Sequence, residues 1–328
     1  MRQPAFWFAR PDRPGLWPRL LSPLGWMTAR ATARRVAKLP RHWPDIPVIC
    51  VGNLNLGGTG KTPAVIALSG MLSASGRQPH VLSRGYKGNV EGPARVDPGH
   101  HRAEDVGDEP LLISAFCPVW VGRDRVATAR AAEASGADIL IMDDGFQYPD
   151  LAKDLSLVIV DATRGFGNRR CAPAGPLREP VIAGLARADG VIAIGTPAEC
   201  DAFRATIGGG YDRPVLGAQL EPLETGMDWR GQRFLAFAGI GHPEKFFATL
   251  RGLGADLVET VALSDHQAVP SSLANRLSQR ARQLNAQLVT TEKDAVRLPK
   301  AFQREILSLP VRLRFAAPDD VQALLGTL

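Results

Sequence analysis

The chain has 328 residues, of which 45% are hydrophobic and 22% charged. This length predicts about two domains, and the apolar fraction excludes disordered and low-complexity proteins. The cysteines form no CxxC pair and adjoin no histidine cluster, so we expect neither a disulfide framework nor a zinc module. We expect the protein to reside in a reducing compartment. The cysteines are Cys50, Cys117, Cys171 and Cys200.

The positive charge is concentrated at the N-terminus, because residues 1–43 hold nine basic residues and a single acid, Asp12. The rest of the chain is slightly acidic, so we expect no nucleic-acid partner. The segment also holds four of the six tryptophans around short apolar runs, which predicts a helix lying on an anionic membrane surface. Its uncharged stretches are too short to span a bilayer. The alternative is an N-terminal helix packed on its own domain.

From Pro47 onward, short apolar runs alternate with helical stretches. The strand candidates are PVICVG, HVLS, PVWVG, DILIMD, LSLVIVD and GVIAIG, and helices are predicted at 63–75, 109–116 and 124–135. Continuous apolar runs are typical of strands covered on both faces, and the alternation predicts an α/β fold with a mostly parallel sheet and flanking helices. After residue 222 the pattern thins. We therefore expect a membrane segment at 1–43, a main domain at 44–222 and a smaller C-terminal α/β domain at 223–328, which ends in VRLRF and contributes to the active-site cleft.

The strongest motif follows the first strand, where a glycine-rich loop runs into Gly60-Lys61-Thr62 and a helix opened by Pro63. Such a loop binds phosphate through backbone N–H groups at a helix N-terminus, and its lysine reaches the β- and γ-phosphates while the threonine hydroxyl ligates Mg²⁺. The fold is therefore predicted to be P-loop NTPase-like. The nucleotide-binding candidates are Asn55, Leu56, Gly57, Gly58, Thr59, Gly60, Lys61 and Thr62.

Two further expectations concern this loop. Asn55 stands where the standard pattern has a glycine, and we expect the loop to close because asparagine tolerates left-handed backbone better than most residues. The loop begins beyond residue 40, so we expect the affinity for nucleotide to be independent of the N-terminal segment.

Acidic residues follow two later elements. Asp143 and Asp144 end the strand DILIMD and precede Gly145, so either carboxylate is a candidate for the Mg²⁺ shell beside the phosphate loop. Asp108 and Glu109 precede Pro110 at a predicted helix start. Acids there serve as helix caps, or as a base that takes the proton from an attacking hydroxyl, and the residues alone leave both interpretations open.

Three polar loops complete the candidates. His266 lies beside Asp265 in LSDHQAVP, although a lone loop histidine is more often solvated or structural. The runs SRGYKG and GPLREP are bounded by glycine or proline and follow strand regions, which suits contacts with anions or a metal. Their candidate residues are Arg84 and Tyr86 in the first run and Arg178 and Glu179 in the second.

Taken in order, these motifs resemble the tetraacyldisaccharide 4′-kinase family, the lipid A 4′-kinases of bacteria. The resemblance rests on VGNLNLGGTGKTP, LSRGYKG, VGDEP, VGRDR, DDGFQ, RGFGN, PAGPLREP, FAGIGHPEKFF, SDHQ and TTEKDAVRL. It implies a kinase domain at 44–222 that transfers the γ-phosphoryl group of ATP to the 4′-hydroxyl of a tetraacylated glucosamine disaccharide 1-phosphate, at the cytoplasmic face of the bacterial inner membrane. It implies no obligate protein partner.

The resemblance also implies residue roles. The catalytic residues are Asp108 as base, His266 as its support and Lys61. ATP binds Asn55 to Thr62, and Mg²⁺ is expected at Thr62, Asp143, Asp144 and Glu179. Arg84, Tyr86 and Arg178 are expected near the acceptor. The family commonly has a second histidine or an aromatic residue where this chain has Gln267.

The rival interpretation is a membrane-associated nucleotide switch that phosphorylates no lipid. A GTPase switch needs an NKxD or TKxD motif to specify guanine, whereas TTEKD places Lys293 and Asp294 side by side. A switch would also have little use for an acid–histidine pair away from the phosphate loop. These features favour the kinase.

Overall fold

The computed structural model describes residues 3–207, 210–264, 267 and 269–328. The strands are β1 (Val48–Gly52), β2 (Pro79–Ser83), β3 (Ala94–Arg95), β4 (Val119–Val121), β5 (Ile139–Asp143), β6 (Leu155–Asp161), β7 (Gly190–Ile194), β8 (Val215–Pro222), β9 (Arg233–Ala238), β10 (Asp256–Ala262), β11 (Gln287–Thr291), β12 (Ile306–Leu309) and β13 (Val311–Phe315). The helices are α1 (Leu16–Leu20), α2 (Ser22–Val36), α3 (Lys61–Ala74), α4 (Ala103–Val106), α5 (Asp108–Ile113), α6 (Arg125–Ala134), α7 (Val181–Leu185), α8 (Pro197–Ile207), α9 (Pro243–Gly252), α10 (Ser271–Gln283), α11 (Glu292–Ala295), α12 (Lys300–Gln303) and α13 (Pro318–Leu325), and a 3₁₀ helix spans Ala5–Phe8.

A large sheet forms the centre of the molecule. Among the described residues it has nine strands in the order β13-β8-β7-β6-β1-β5-β2-β4-β3. The strands from β8 to β4 run parallel, and the edge strands β13 and β3 pair antiparallel with their neighbours. The predicted mostly parallel sheet with flanking helices is confirmed. Because parallel strands end at the same edge, the loops that follow β1, β5 and β6 lie side by side.

Alternating side chains of the central strand pack into two different apolar layers. Val48 and Cys50 of β1 belong to the layer on one face of the sheet. Ile49 and Val51 belong to the layer on the other face, together with Leu68 of α3. This period of two residues explains why β1 reads as an unbroken apolar run, since both of its faces are covered.

A second, smaller sheet follows in the chain. Its strands run parallel in the order β10-β9-β11-β12 within the described residues. Phe247 of α9 packs on one face and Leu277 of α10 packs on the other. The α/β character predicted for this part of the chain is confirmed.

Grouping VRLRF with the smaller C-terminal unit was wrong. The strand β13 pairs antiparallel with β8 in the large sheet, where Leu313 lies opposite Leu220. Leu313 also joins Val321 and Leu325 of α13 in the apolar layer that contains α3. The chain therefore returns to its first sheet, where β13 covers the edge that β8 would otherwise expose. The boundaries at residues 43 and 222 stay predictions.

The N-terminal segment packs on the large-sheet unit through small residues. A Cβ atom at Gly25 of α2 would lie 2.7 Å from the Cys171 carbonyl oxygen, so α2 approaches that backbone closely. On the same helix, the Thr32 hydroxyl donates a hydrogen bond of 2.9 Å to the Arg178 carbonyl. No helix among the described residues combines the length and the apolar content that crossing a membrane requires.

Candidate nucleotide site

The phosphate loop connects β1 to α3 at the centre of the large sheet. Gly57 and Gly60 have φ angles of 103° and 94°, a backbone region that favours glycine, and Gly60 caps α3 directly before Lys61. Inside the loop, the buried Asn53 side chain donates hydrogen bonds to the Gly57 carbonyl (3.2 Å) and to the Thr59 hydroxyl (3.0 Å). The loop is thus folded by its own polar contacts around the N-terminus of a helix, as a phosphate site requires.

Asn55 serves the loop by a different means than expected. It does not have the left-handed backbone that its place in the motif suggested. Its side chain is instead buried and donates a hydrogen bond of 3.0 Å to the Gly165 carbonyl, while its backbone forms an antiparallel bridge with Leu177. Asn55 therefore fastens the loop to the segment that precedes α7, because its amide supplies a donor that glycine lacks.

The Asp144 carboxylate lies between two cations at this edge of the sheet. Its Oδ1 is 3.6 Å from Lys61 Nζ, and both of its oxygens accept from the Arg178 guanidinium, at 2.8 and 3.2 Å. Although burial opposes ionisation, Lys61 and Arg178 lower the pKa of Asp144 to about 2. Arg178 was expected at the acceptor, and the structure places it against this acid.

A buried arginine supports the turn that carries Asp143 and Asp144. The Arg125 guanidinium donates to the carbonyls of both residues, at 2.9 and 3.1 Å, and lies over the Tyr148 ring. Asp144 has a φ of 50°, which is uncommon for a residue with a side chain, and these bonds help to hold that backbone. Arg125 belongs to the VGRDR motif, but no spacing in the sequence pointed to its partner.

Asp143 is a buried acid with one oxygen that has no hydrogen-bond partner. Its side chain is 3% exposed, its Oδ1 is unpaired, and its Oδ2 is 3.5 Å from the Ser83 hydroxyl. Burial, together with the negative charges of Glu109 and Asp144, raises the pKa of Asp143 to about 7. An unpaired carboxylate oxygen of this kind is suited to a bound cation.

Glu179 lies in a polar network beneath the phosphate loop. Its Oε2 accepts from Arg187 at 2.5 Å and its Oε1 accepts from Gln147 at 2.9 Å. The Gln147 amide also donates to the Asn53 carbonyl at the start of the loop, at 3.0 Å. Glu179 thus acts on the loop through Gln147. Neither Gln147 nor Arg187 was predicted, because a glutamine and an arginine in polar loops carry no local signal for this role.

The predicted metal ligands do not form a carboxylate cluster. No group of three or more His, Cys, Asp or Glu side chains in the described part of the chain is arranged to hold a metal ion. Thr62 is buried in the first turn of α3.

Asp108 begins α5 and is buried, with one oxygen accepting from the Glu109 N–H at 3.0 Å. Glu109 forms an ion pair of 2.7 Å with Lys293, which belongs to α11 beside the smaller sheet. This ion pair connects α5, beside the large sheet, to α11, beside the smaller sheet, at the residue next to Asp108. The predicted support for Asp108, His266, lies outside the described residues.

The remaining candidates lie at the same edge of the sheet. Arg84 and Tyr86 follow β2 and are exposed, and the Tyr86 side chain is 63% accessible.

Comparisons with known proteins agree with this geometry. A family model described as tetraacyldisaccharide-1-P 4′-kinase matches residues 17–328. The tetraacyldisaccharide 4′-kinase of Dinoroseobacter shibae is 58% identical over 329 residues, covering 100% of this chain and 98% of that protein. The enzyme of the same name from Jannaschia sp. is 55% identical over 313 residues, covering 95% and 94%. The "apo" form of LpxK from Aquifex aeolicus in complex with ATP has a TM-score of 0.77 at 25% identity, covering 95% of this chain and 99% of that chain.

The raised pKa of Asp143 makes stability depend on pH in the unliganded protein. The pKa of Asp143 is about 7 in the folded chain against an ordinary 3.8. The contribution of Asp143 to the free energy of unfolding is therefore highest below about pH 3.8, where Asp143 is protonated in both states. It falls as pH rises through about 7, because the folded protein then has to bury the charged carboxylate. We expect Asp143→Asn to be more stable relative to wild type at pH 8 than at pH 5, measured by urea unfolding. The exposed Asp201→Asn is the control and should show no such change. A pH-independent difference for Asp143→Asn would contradict the assignment.

Proposed function

The chain belongs to the tetraacyldisaccharide-1-P 4′-kinase family, and we propose that Lys61, Asp144 and Asp108 carry out the chemistry of this family in it. It is an ATP-dependent kinase that phosphorylates the 4′-hydroxyl of a tetraacylated disaccharide 1-phosphate in lipid A biosynthesis. The observation that carries the residue assignment is the meeting of Lys61, Asp144 and Arg178 at the mouth of the phosphate loop.

Lys61 is placed to exchange one anion for another. Its distance of 3.6 Å to Asp144 is longer than a direct hydrogen bond, and its side chain is 11% exposed. Incoming phosphate oxygens offer closer anionic partners, while Arg178 keeps Asp144 neutralised at 2.8 Å. Lys61 and the loop N–H groups then stabilise the charge on the transferred phosphoryl group.

The site fits Mg²⁺ because Asp143 has an unpaired buried oxygen and Thr62 has a hydroxyl in the first turn of α3. We propose that these two residues hold the ion, together with phosphate oxygens. When bound, Mg²⁺ supplies positive charge to the β- and γ-phosphates. The charge of Asp144 is compensated by Arg178, and the charge of Glu179 by Arg187. We therefore place both of these acids around the ion rather than on it.

Asp108 is proposed as the base for the acceptor hydroxyl. It is buried at the start of α5, and the ion pair between Glu109 and Lys293 fixes the start of this helix. A base held in this way accepts the proton as the sugar oxygen attacks the γ-phosphorus. The family resemblance assigns His266 to orient it, and that role is a proposal from the sequence.

The first prediction from this proposal tests the phosphate site. We expect Lys61→Ala and Asp144→Asn each to lower kcat by about 10³-fold or more, because Lys61 acts on phosphate charge and Asp144 holds Lys61 and Arg178 at the loop. Formation of phosphorylated lipid from ATP and tetraacyldisaccharide 1-phosphate is the measurement. Lys300→Ala and Asp201→Asn change exposed residues of the same types and should be unaffected. ATP hydrolysis without phosphorylated lipid in the wild type would favour the nucleotide switch instead.

A second prediction concerns proton transfer. Replacing Asp108 by Asn or His266 by Ala should each lower kcat by about 10²–10⁴-fold, the usual contribution of a general base. If the two residues act as one unit, the double variant loses much less than the product of the single losses. Single-turnover rates at saturating ATP and lipid measure this. Fully multiplicative losses would mean that the two residues act separately.

The same chain carries a surface suited to a membrane. The helices α1 and α2 turn small residues such as Gly25 and Thr32 toward the protein and large apolar ones toward solvent, the reverse of an ordinary surface helix. The exposed members are Leu16, Trp17, Leu20, Leu24, Trp26 and Met27, each at least 50% accessible. Arginines stand among them, and Arg30 lies over the Trp26 ring. We propose that this apolar face docks on anionic lipid and presents the site to its lipid substrate.

Replacing the apolar residues should weaken this docking. We expect the quadruple Ser variant of Trp17, Leu20, Trp26 and Met27 to bind anionic vesicles at least about tenfold more weakly, because buried apolar surface drives interfacial insertion. The residual vesicle binding of this variant should weaken as the salt concentration rises, because it depends on the basic residues. Vesicle sedimentation measures both effects. Leu220→Ser, in an exposed leucine of β8, is the control, and equal binding by all three proteins would refute the proposed surface.

A further inference from the structure

The extreme N-terminal segment reaches the phosphate loop. Gln3 is half-buried, and its side-chain amide donates a hydrogen bond of 2.7 Å to the Leu56 carbonyl in the loop. Its amide oxygen accepts a hydrogen bond of 3.1 Å from Arg164. The Leu56 carbonyl can only accept and the Arg164 guanidinium can only donate, so both contacts require the same orientation of the Gln3 amide. Gln3 therefore makes a directed contact with the nucleotide loop.

Other bonds fix the segment that carries Gln3. The Trp7 indole donates to the Pro173 carbonyl at 3.0 Å, and the Asn168 backbone N–H donates to the Trp7 carbonyl at 2.7 Å. The Asn168 side chain donates to the Phe6 carbonyl at 3.1 Å. These bonds hold the backbone at Phe6 and Trp7, a few residues after Gln3. The position of Gln3 beside Leu56 is therefore fixed by the packed segment as well as by its own side chain.

Leu56 is held through both of its backbone polar groups. Its N–H donates to the Pro176 carbonyl at 2.7 Å, and its carbonyl accepts from Gln3. The peptide that joins Leu56 to Gly57 is planar and trans, so a carbonyl turned toward Gln3 turns the Gly57 N–H the opposite way. A Cβ atom at Gly57 would collide with Gln3 Nε2, so the Gln3 amide lies directly against this residue.

We propose that Gln3 is a positioning residue for ATP, because it fixes the Leu56–Gly57 peptide so that the Gly57 N–H faces the bound phosphates. The inference rests on the assignment of Asn55 to Thr62 as the nucleotide loop. It revises the expectation that nucleotide affinity is independent of the first 40 residues. The segment that follows Gln3 leads directly into the apolar face of α1 and α2, so one stretch of chain serves both the membrane and the phosphate loop.

The test uses the full chain with Gln3→Ala and Gln3→Glu. The glutamate variant keeps an acceptor for Arg164 but replaces the donor to Leu56 with an oxygen. Both variants should raise the Kd for ATP, measured by calorimetry, and the KM for ATP by about two- to tenfold, the range expected from one hydrogen bond. The KM for the lipid should not change, because the exposed residues of α1 and α2 are intact.

Two control variants make the result decisive. Arg10→Ala alters an exposed residue of the same segment and should leave ATP binding unchanged. Lys61→Ala should weaken ATP binding strongly, and if it does not, the loop assignment itself is wrong. If Lys61→Ala weakens ATP binding while both Gln3 variants bind ATP as wild type does, the role of Gln3 is refuted. A rise in the lipid KM alone would refute it equally.

Discussion

The carboxylate of Asp144 joins the phosphate loop to the rest of the site. It lies between Lys61, the first residue of α3, and Arg178, which precedes α7, so two distant parts of the chain meet on a single anion. Without it, two cations would stand side by side in a partly buried place, where repulsion is poorly screened. The cluster therefore holds together a loop whose purpose is to attract a further anion. In our proposal, ATP binding is an exchange of the partner of Lys61 among charges that are already in place.

The support of the phosphate loop comes largely from side chains bonded to backbone. Arg125 holds the carbonyls of Asp143 and Asp144, Gln147 holds that of Asn53, and Asn55 binds the carbonyl of Gly165. Bonds of this kind fix the direction of peptide groups, and a phosphate loop works through the direction of its N–H groups. The buried polar residues around this site are thus explained by the backbone they orient.

The N-terminal segment is packed on the protein, as one of its two interpretations expected, and its docking on a membrane is our proposal. It packs on the protein through Gly25 and Thr32, and it exposes its large apolar residues on the other side. Because the small residues of this helix form the contact with the protein, its tryptophans and leucines face away from the protein, where the proposed lipid contact would lie. The Thr32 bond reaches the backbone of Arg178, whose side chain holds Asp144. The proposed membrane surface and the phosphate site are therefore built on shared residues.

The sequence by itself predicted six strands of the large sheet (β1, β2 and β4 to β7), the phosphate loop and the order of its acids, because these depend on neighbouring residues. Apolar runs such as that of β1 indicate strands covered on both faces, and a glycine-rich run that ends in Gly-Lys-Thr between a strand and a helix indicates a phosphate loop. Only the tertiary structure decided that β13 returns to the large sheet, that Asn55 acts through its side chain, and that Gln3 touches Leu56. Each of these joins residues far apart in the chain. Hydrogen bonds and strand pairing of that kind leave no periodic trace in the sequence, because their partners are chosen by the packing of the whole molecule.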